Sequence, residues 1–206
     1  MFGKVGILGG SFDPIHYGHL WIANHAFEQL HLDSLRIIPA AQSPLKPINS
    51  HADARCRLEM TQLAISGIDQ WTVDDCEIQR GGTSFTLDTV LHLRRQFPGN
   101  QWYLIVGADS VASLPLWHQP EELLRCVTLA AVQRASDPPI DYGVIEKLAD
   151  AEVAKKCRSA AVTMPLISLS SSEIRRRIAA GRNIRFMTPS AVQAYIASAN
   201  LYRHAQ

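Results

Sequence analysis

Short runs of aliphatic and β-branched residues alternate along this chain with longer stretches of helical periodicity, and few architectures accept that alternation. Residues 5–8, 35–38, 71–73, 102–106, 129–132 and 161–164 read as extended. Between them, 20–30, 54–65, 87–97 and 144–156 carry apolar residues at helical spacing, and 173–180 and 189–199 read as two further helices. Residues 102–106 (Trp-Tyr-Leu-Ile-Val) are nearly all apolar, as a strand covered on both faces should be. Strands joined by crossover helices imply an α/β fold: a Rossmann-like, doubly wound parallel sheet, here with a helical C-terminal tail from residue 170. The 206 residues show no internal repeat, low-complexity tract or linker, so 1–206 is read as a single domain.

The formal charge of +1 gives no support for a whole-surface nucleic-acid binder. Its distribution is uneven, however. Residues 170–206 hold arginines 175, 176, 177, 182, 185 and 203 against one acid, Glu173. A basic end on a near-neutral protein points to a small anionic ligand more than to a long polyanion. Cysteines 56, 76, 126 and 157 form no close pair, so they read as reduced and mostly buried. The apolar opening is too short for a signal peptide, and no stretch approaches the ~18 residues that span a membrane. A soluble, cytoplasmic protein is expected.

Open parallel sheets bind ligands beyond the carboxyl ends of their strands, near a switch in strand order. Three chemically unusual segments follow the expected strands: 9–19, 107–110 and 133–134. In the first, Gly9-Gly10 lets backbone approach a phosphate, and a helix starting near Tyr17 aims its free N–H groups at the same place. His16 and His19, three apart, share a face of that helix and suit a phosphoryl group as hydrogen-bond donors. The segment lacks the Gly-Lys-Ser/Thr of a P-loop and the Gly-x-Gly-x-x-Gly of a dinucleotide fingerprint. A metal reading of His-x-x-His is weaker, with no acidic or cysteine ligand nearby. A second candidate is Ser170-Ser171-Ser172-Glu173-Ile174-Arg175, where Ser170 and Glu173 form a capping box and Ile174 and Ile178 face the core. Ser171, Ser172 and the first-turn N–H groups make an anion cradle, with Arg175 or Arg176 nearby. An ordinary capped helix with a solvated arginine face explains this segment equally well.

The segment 9–19 resembles the signature of the nucleotidyltransferase superfamily with a Thr/His-x-Gly-His motif, here His16-Tyr17-Gly18-His19. Within it the chain resembles the bacterial nicotinate-nucleotide adenylyltransferases. Further motifs in that family's order are Pro44-Leu45-Lys46, Arg57, 84–89 (Ser-Phe-Thr-Leu-Asp-Thr), Gly107-Ala108-Asp109-Ser110, Leu116-Trp117-His118, Gln133-Arg134 and 170–175. The resemblance implies transfer of AMP from ATP to nicotinate mononucleotide, giving nicotinate adenine dinucleotide and pyrophosphate, with magnesium accompanying ATP and no protein nucleophile. It implies His16, His19, Lys46 and Arg175 as catalytic residues. Backbone contacts to ATP would come from Gly9, Gly10, Ser11 and Phe12. Asp109 would hold the ribose or base edge, and Ser171, Ser172 and Arg175 the β,γ-phosphates. The acceptor would be met by Trp117 stacking on the pyridine ring, by Thr86 and its neighbours at the carboxylate, and by Lys46 and Arg134 at phosphate. Relatives commonly carry Pro-His-Lys with an upstream Asn, and Tyr at position 85; this chain has Leu45, Ala40-Ala41 and Phe85. Rival readings are the same transfer to nicotinamide mononucleotide or phosphopantetheine, and a non-catalytic nucleotide-binding module. Trp117 and the 84–89 segment favour a pyridine ring, and the intact histidines and Arg175 favour an enzyme. Neither nucleic acid nor membrane is an expected partner, and self-association is left open.

Overall fold

A computed structural model describes residues 3–44, 51–135 and 138–203. Six strands, β1 (Lys4–Gly10), β2 (Ser34–Pro39), β3 (Trp71–Val73), β4 (Gln101–Gly107), β5 (Thr128–Arg134) and β6 (Val162–Met164), form one sheet in the order β3-β2-β1-β4-β5-β6. Every neighbouring pair is parallel. The chain winds outward from β1 in one direction and from β4 in the other, so the switch in strand order falls between them.

Side chains of the central strands alternate between two cores, as the period of two requires. Val5 and Ile7 of β1, Trp102, Leu104 and Val106 of β4, and Leu129 and Ala131 of β5 point to one face. Leu8, Ile105, Ala130 and Val132 point to the other. The first face is covered by α4 (Thr86–Gln96), α6 (Pro120–Cys126), α7 (Gly143–Leu148) and α8 (Ala151–Ser159). The second is covered by α1 (Tyr17–Gln29), α2 (Ala54–Ile65), α9 (Ser171–Ala179) and α10 (Ser190–Ser198). Short helices α3 (Cys76–Arg80) and α5 (Ala108–Ser113) complete the crossovers. This is the doubly wound sheet expected from the alternation of runs, with α9 and α10 as its helical C-terminal part.

One expected helix is corrected. Residues 144–156 form two helices, because Asp150 adopts an extended conformation and its carboxylate accepts the Val153 N–H at 2.8 Å. Aspartate at this position caps a new helix more favourably than it continues an old one. All four cysteines are free, with Cys157 buried in the core. Among the described residues, no helix is long and apolar enough to cross a membrane.

Candidate active site

At the carboxyl ends of the central strands opens a cleft of about 1160 Å³, reached by the ends of β1 and β5 and by the segments after β4 and before α9. A shallower hollow of about 610 Å³ adjoins it along β5 and β6 and shares Arg134 and Met164.

The turn between β1 and α1 forms its floor. Phe12 takes a left-handed conformation, φ 48°, and its ring lies buried under Gly10, where any Cβ would sit 2.9 Å from the ring. That contact requires glycine at position 10 and leaves the backbone open to a ligand. His16 is the N-cap of α1, and its backbone N–H donates to His19 Nδ1 at 3.3 Å. The two imidazoles stack with centroids 3.8 Å apart and planes 22° from parallel, while Phe12 meets His19 edge-on at 5.0 Å. A Cβ on Gly18 would come within 2.9 Å of the His16 ring, so glycine at 18 is what lets this imidazole lie flat on the helix start.

Burial pulls the His16 pKa down to about 4, and the Arg134 charge acts in the same direction. His16 is therefore neutral near pH 7. Its Nδ1 is buried without a hydrogen-bond partner, and a proton there would be stranded; the favoured tautomer carries it on Nε2. His19 Nδ1 is already an acceptor, which assigns its neutral-form proton to Nε2 as well. In the neutral form each ring then carries its donor hydrogen at Nε2. Among the described residues, no group of three or more His, Cys, Asp or Glu could hold a metal ion.

Two buried charged residues brace this floor. Arg57, 1% exposed, donates to the carbonyls of Ser11 (2.8 Å), Ala41 (3.3 Å) and Ala52 (3.3 Å), tying the β1–α1 turn to two points of the β2–α2 connection. Burial lowers its pKa, and the Asp13 charge opposes that. The Asp13 carboxylate, 4% exposed, accepts from the His51 and Ala52 N–H groups at 2.7 and 3.1 Å and from the Tyr202 hydroxyl at 2.7 Å.

Across the cleft stands the start of α9. Ser170 caps it, accepting from the Glu173 N–H at 3.1 Å, which is the first half of the expected capping box; the Glu173 carboxylate turns instead to Arg176. Ser171 Oγ donates to the Pro14 carbonyl at 2.9 Å, which joins α9 to the β1–α1 turn. Arg175 reaches the same turn: Nη1 donates to the Asp13 carbonyl at 2.7 Å and Nη2 to Ser172 Oγ at 3.2 Å. Arg176 pairs with Glu173 on the exposed side, and Arg177 donates to the Asn183 carbonyl. Of the arginine triplet, Arg175 is the member that lines the cleft.

Eleven expected site residues share this one cleft: Gly9, Gly10, Ser11, Phe12, His16, His19, Asp109, Arg134, Ser171, Ser172 and Arg175. Thr86 and Trp117 lie outside its lining. Thr86 opens α4, whose N-cap Phe85 supplies no side-chain hydrogen bond to the first turn. Trp117 is half-buried against the core, with Nε1 3.4 Å from Ser113 Oγ. The ring of Phe85 packs on His118 at 4.5 Å, so the Thr86 and Trp117 segments lie side by side. The strip before Thr86 joins the cleft wall, with Ser84 N–H on the Gln42 carbonyl at 2.8 Å and Ala41 N–H on Ser84 Oγ at 2.9 Å. Leu45 and Lys46 lie outside the described residues. The sequence pattern marked Arg57 as a motif position without assigning it a task, and it gave none to Asp13 or Tyr202. The burial of Arg57 and its three carbonyl partners supply that task.

Comparison with known proteins agrees with this geometry. The cytidylyltransferase-like family model matches residues 7–177. A protein of Rhodopirellula baltica named as a probable nicotinate-nucleotide adenylyltransferase is 46% identical over 97% of this chain and 93% of its own. One of the same name from Gemmatimonas aurantiaca is 43% identical over 97% of this chain and 92% of its own. The Plasmodium falciparum nicotinic acid mononucleotide adenylyltransferase complexed with NaAD has a TM-score of 0.75 at 19% identity, covering 98% of both chains, which is a likeness of fold.

Proposed function

The chain belongs to the cytidylyltransferase-like family and, within it, to the nicotinate-nucleotide adenylyltransferases, and from that premise we propose how its cleft moves AMP from ATP to nicotinate mononucleotide in NAD synthesis. The observation that carries the proposal is the stacked His16–His19 pair facing the capped start of α9 and Arg175 across one cleft.

In this reaction a phosphate oxygen of the mononucleotide attacks the α-phosphorus of ATP in line. The new Pα–O bond forms as the bond from Pα to the β-phosphate oxygen breaks, and pyrophosphate leaves. No group of the protein is consumed, so catalysis is positioning and electrostatic stabilisation. The two Nε2–H donors at the start of α1 meet charge on the α-phosphate oxygens. Because His16 is neutral, its share is a fixed dipole aimed at developing charge, assisted by the positive end of the helix. Ser172, Arg175 and the first-turn N–H groups of α9 receive the β,γ-phosphates, and Ser171 holds α9 to the β1–α1 turn through its Oγ. Backbone of Gly9, Gly10, Ser11 and Phe12 carries the nucleotide, and exposed Asp109 takes the ribose or base edge. Magnesium enters as part of the ATP substrate and leaves with pyrophosphate.

On the acceptor side, the missing side-chain cap on α4 leaves a place where the nicotinate carboxylate meets first-turn N–H groups at Thr86. Trp117 stacks on the pyridine ring from the adjoining segment, and Arg134 and Lys46 neutralise phosphate. The charged substrates and the four free cysteines suit the cytoplasm. Pyrophosphate release from magnesium-ATP, measured with nicotinate mononucleotide, nicotinamide mononucleotide and phosphopantetheine in turn, tests the reaction. Release with the first is expected, and its absence with all three would leave a binding module.

A further inference from the structure

Arg175 stands between two claims. Its Nη1 donates to the Asp13 carbonyl at 2.7 Å and lies 3.9 Å from Asp13 Oδ2, while Nη2 reaches Ser172 Oγ at the start of α9. A shift of one ångström would turn that approach into a buried charge-assisted bond to the carboxylate and draw the guanidinium from the phosphate side. The carboxylate is held off by its other donors. His51 N–H bonds Oδ2, and Ala52 N–H and the Tyr202 hydroxyl bond Oδ1, the last at 2.7 Å from 189 residues along the chain.

Tyr202 is set for this contact. It follows α10 through a turn closed by the Leu201 N–H on the Ile196 carbonyl, and its backbone is left-handed, φ 63°. That region is unfavourable for an aromatic residue, and the surroundings must over-determine it. The ring packs against the core of the α1–α2 face. Burial and the adjacent Asp13 charge both push the phenol pKa up, so the hydroxyl stays protonated as a donor.

We propose that Tyr202 is a positioning residue for the triphosphate: by bonding the Asp13 carboxylate it keeps that carboxylate from capturing Arg175, and so leaves the guanidinium turned to the β,γ-phosphates. The proposal rests on the assignment of those phosphates to α9 and Arg175. It gives the C-terminal turn a defined task beyond covering the sheet.

Tyr202→Phe keeps the ring and removes the donor. Calorimetry is expected to show ATP binding weakened about fivefold and AMP, which lacks the β,γ-phosphates, changed by less than about twofold. In an Arg175→Ala background the same substitution should change ATP binding by less than about twofold, because the two residues act through one contact. The melting temperature should stay within a few degrees. Equal weakening of ATP and AMP, an ATP effect that persists without Arg175, unchanged ATP affinity, or failure of Tyr202→Phe to fold would each overturn the proposal. A wild-type protein that binds ATP but releases no pyrophosphate with nicotinate mononucleotide would sink the reaction and leave this test readable; one that binds no ATP would overturn both.

Discussion

Burial makes His16 a pH-dependent element of stability as well as a donor. Its folded pKa of about 4 lies below the ordinary value of 6.5, so the unfolded chain binds the proton first. The stabilising contribution is complete above the unfolded pKa and is lost as pH falls from 6.5 toward 4, amounting to about 2 kcal/mol between pH 7 and pH 5. Urea denaturation at those two pH values should show that loss in the wild type and a reduced one in His16→Gln; parallel curves would mean His16 is protonated in the folded protein. Its stacked partner, His19, is the proposed donor to the α-phosphate. His19→Ala is expected to cut turnover by about 10²–10³ with a smaller change in ATP affinity, as loss of one donor to developing charge does. A folded variant retaining more than about a tenth of wild-type turnover would make the pair structural. These residues were legible because strand, turn and helix deliver them consecutively. Asp13 and Tyr202 were not, since their bond joins residues that no local pattern relates.

The start of α9 converts sequence into a ligand preference. Ser170 fixes where the helix begins, and that phase puts Arg175 on the cleft side while Arg176 pairs with Glu173 in solvent. Arg175→Ala should weaken ATP about tenfold or more, with little effect on AMP, since a charge-assisted contact is worth roughly 1.5–3 kcal/mol. Equal losses by calorimetry would remove α9 from the triphosphate site. At the sheet edge, the Gln29 amide donates to the Thr163 carbonyl at 2.8 Å and accepts its N–H at 3.0 Å, occupying β6 as a neighbouring strand would. Edges left open invite pairing with other chains. Gln29→Ala is expected to cost about 1 kcal/mol and to speed exchange of the Thr163 amide; unchanged exchange would show that the edge is covered otherwise. Long helices such as α2 matched their periodicity. The short α3, α5 and α6 did not show, because one or two turns cannot display a period. The break before α8 depends on Asp150 choosing a cap over a continuing turn.

For the whole molecule, the alternation of runs disclosed a parallel doubly wound sheet but not its order, which depends on which side each crossover packs. The observed order puts β1 beside β4, so the Gly9–His19 turn and Asp109 open into one cleft. The proposed acceptor side would be assembled differently, from the starts of α4 and of the segment after α5, which Phe85 on His118 brings side by side. Its chemistry leads to a choice between acceptors. A carboxylate carries charge and no donors, so N–H groups at an uncapped helix start accept it fully. The amide of nicotinamide would turn an NH₂ toward those donors and leave a group unpaired, a mismatch that can reach ~10⁴ in discrimination. Stacking on Trp117, worth ~1–3 kcal/mol, treats the two rings nearly alike. Nicotinate mononucleotide should therefore exceed nicotinamide mononucleotide in kcat/KM by at least about tenfold, the smaller figure reflecting Leu45 in place of the histidine that the family resemblance leads one to expect there. Trp117→Ala should lower kcat/KM for both acceptors by similar factors and leave ATP binding unchanged. Comparable kcat/KM for the two acceptors in the wild type would reject the helix-start carboxylate site. A Trp117→Ala loss confined to one acceptor would show that the indole reads the substituent rather than the ring.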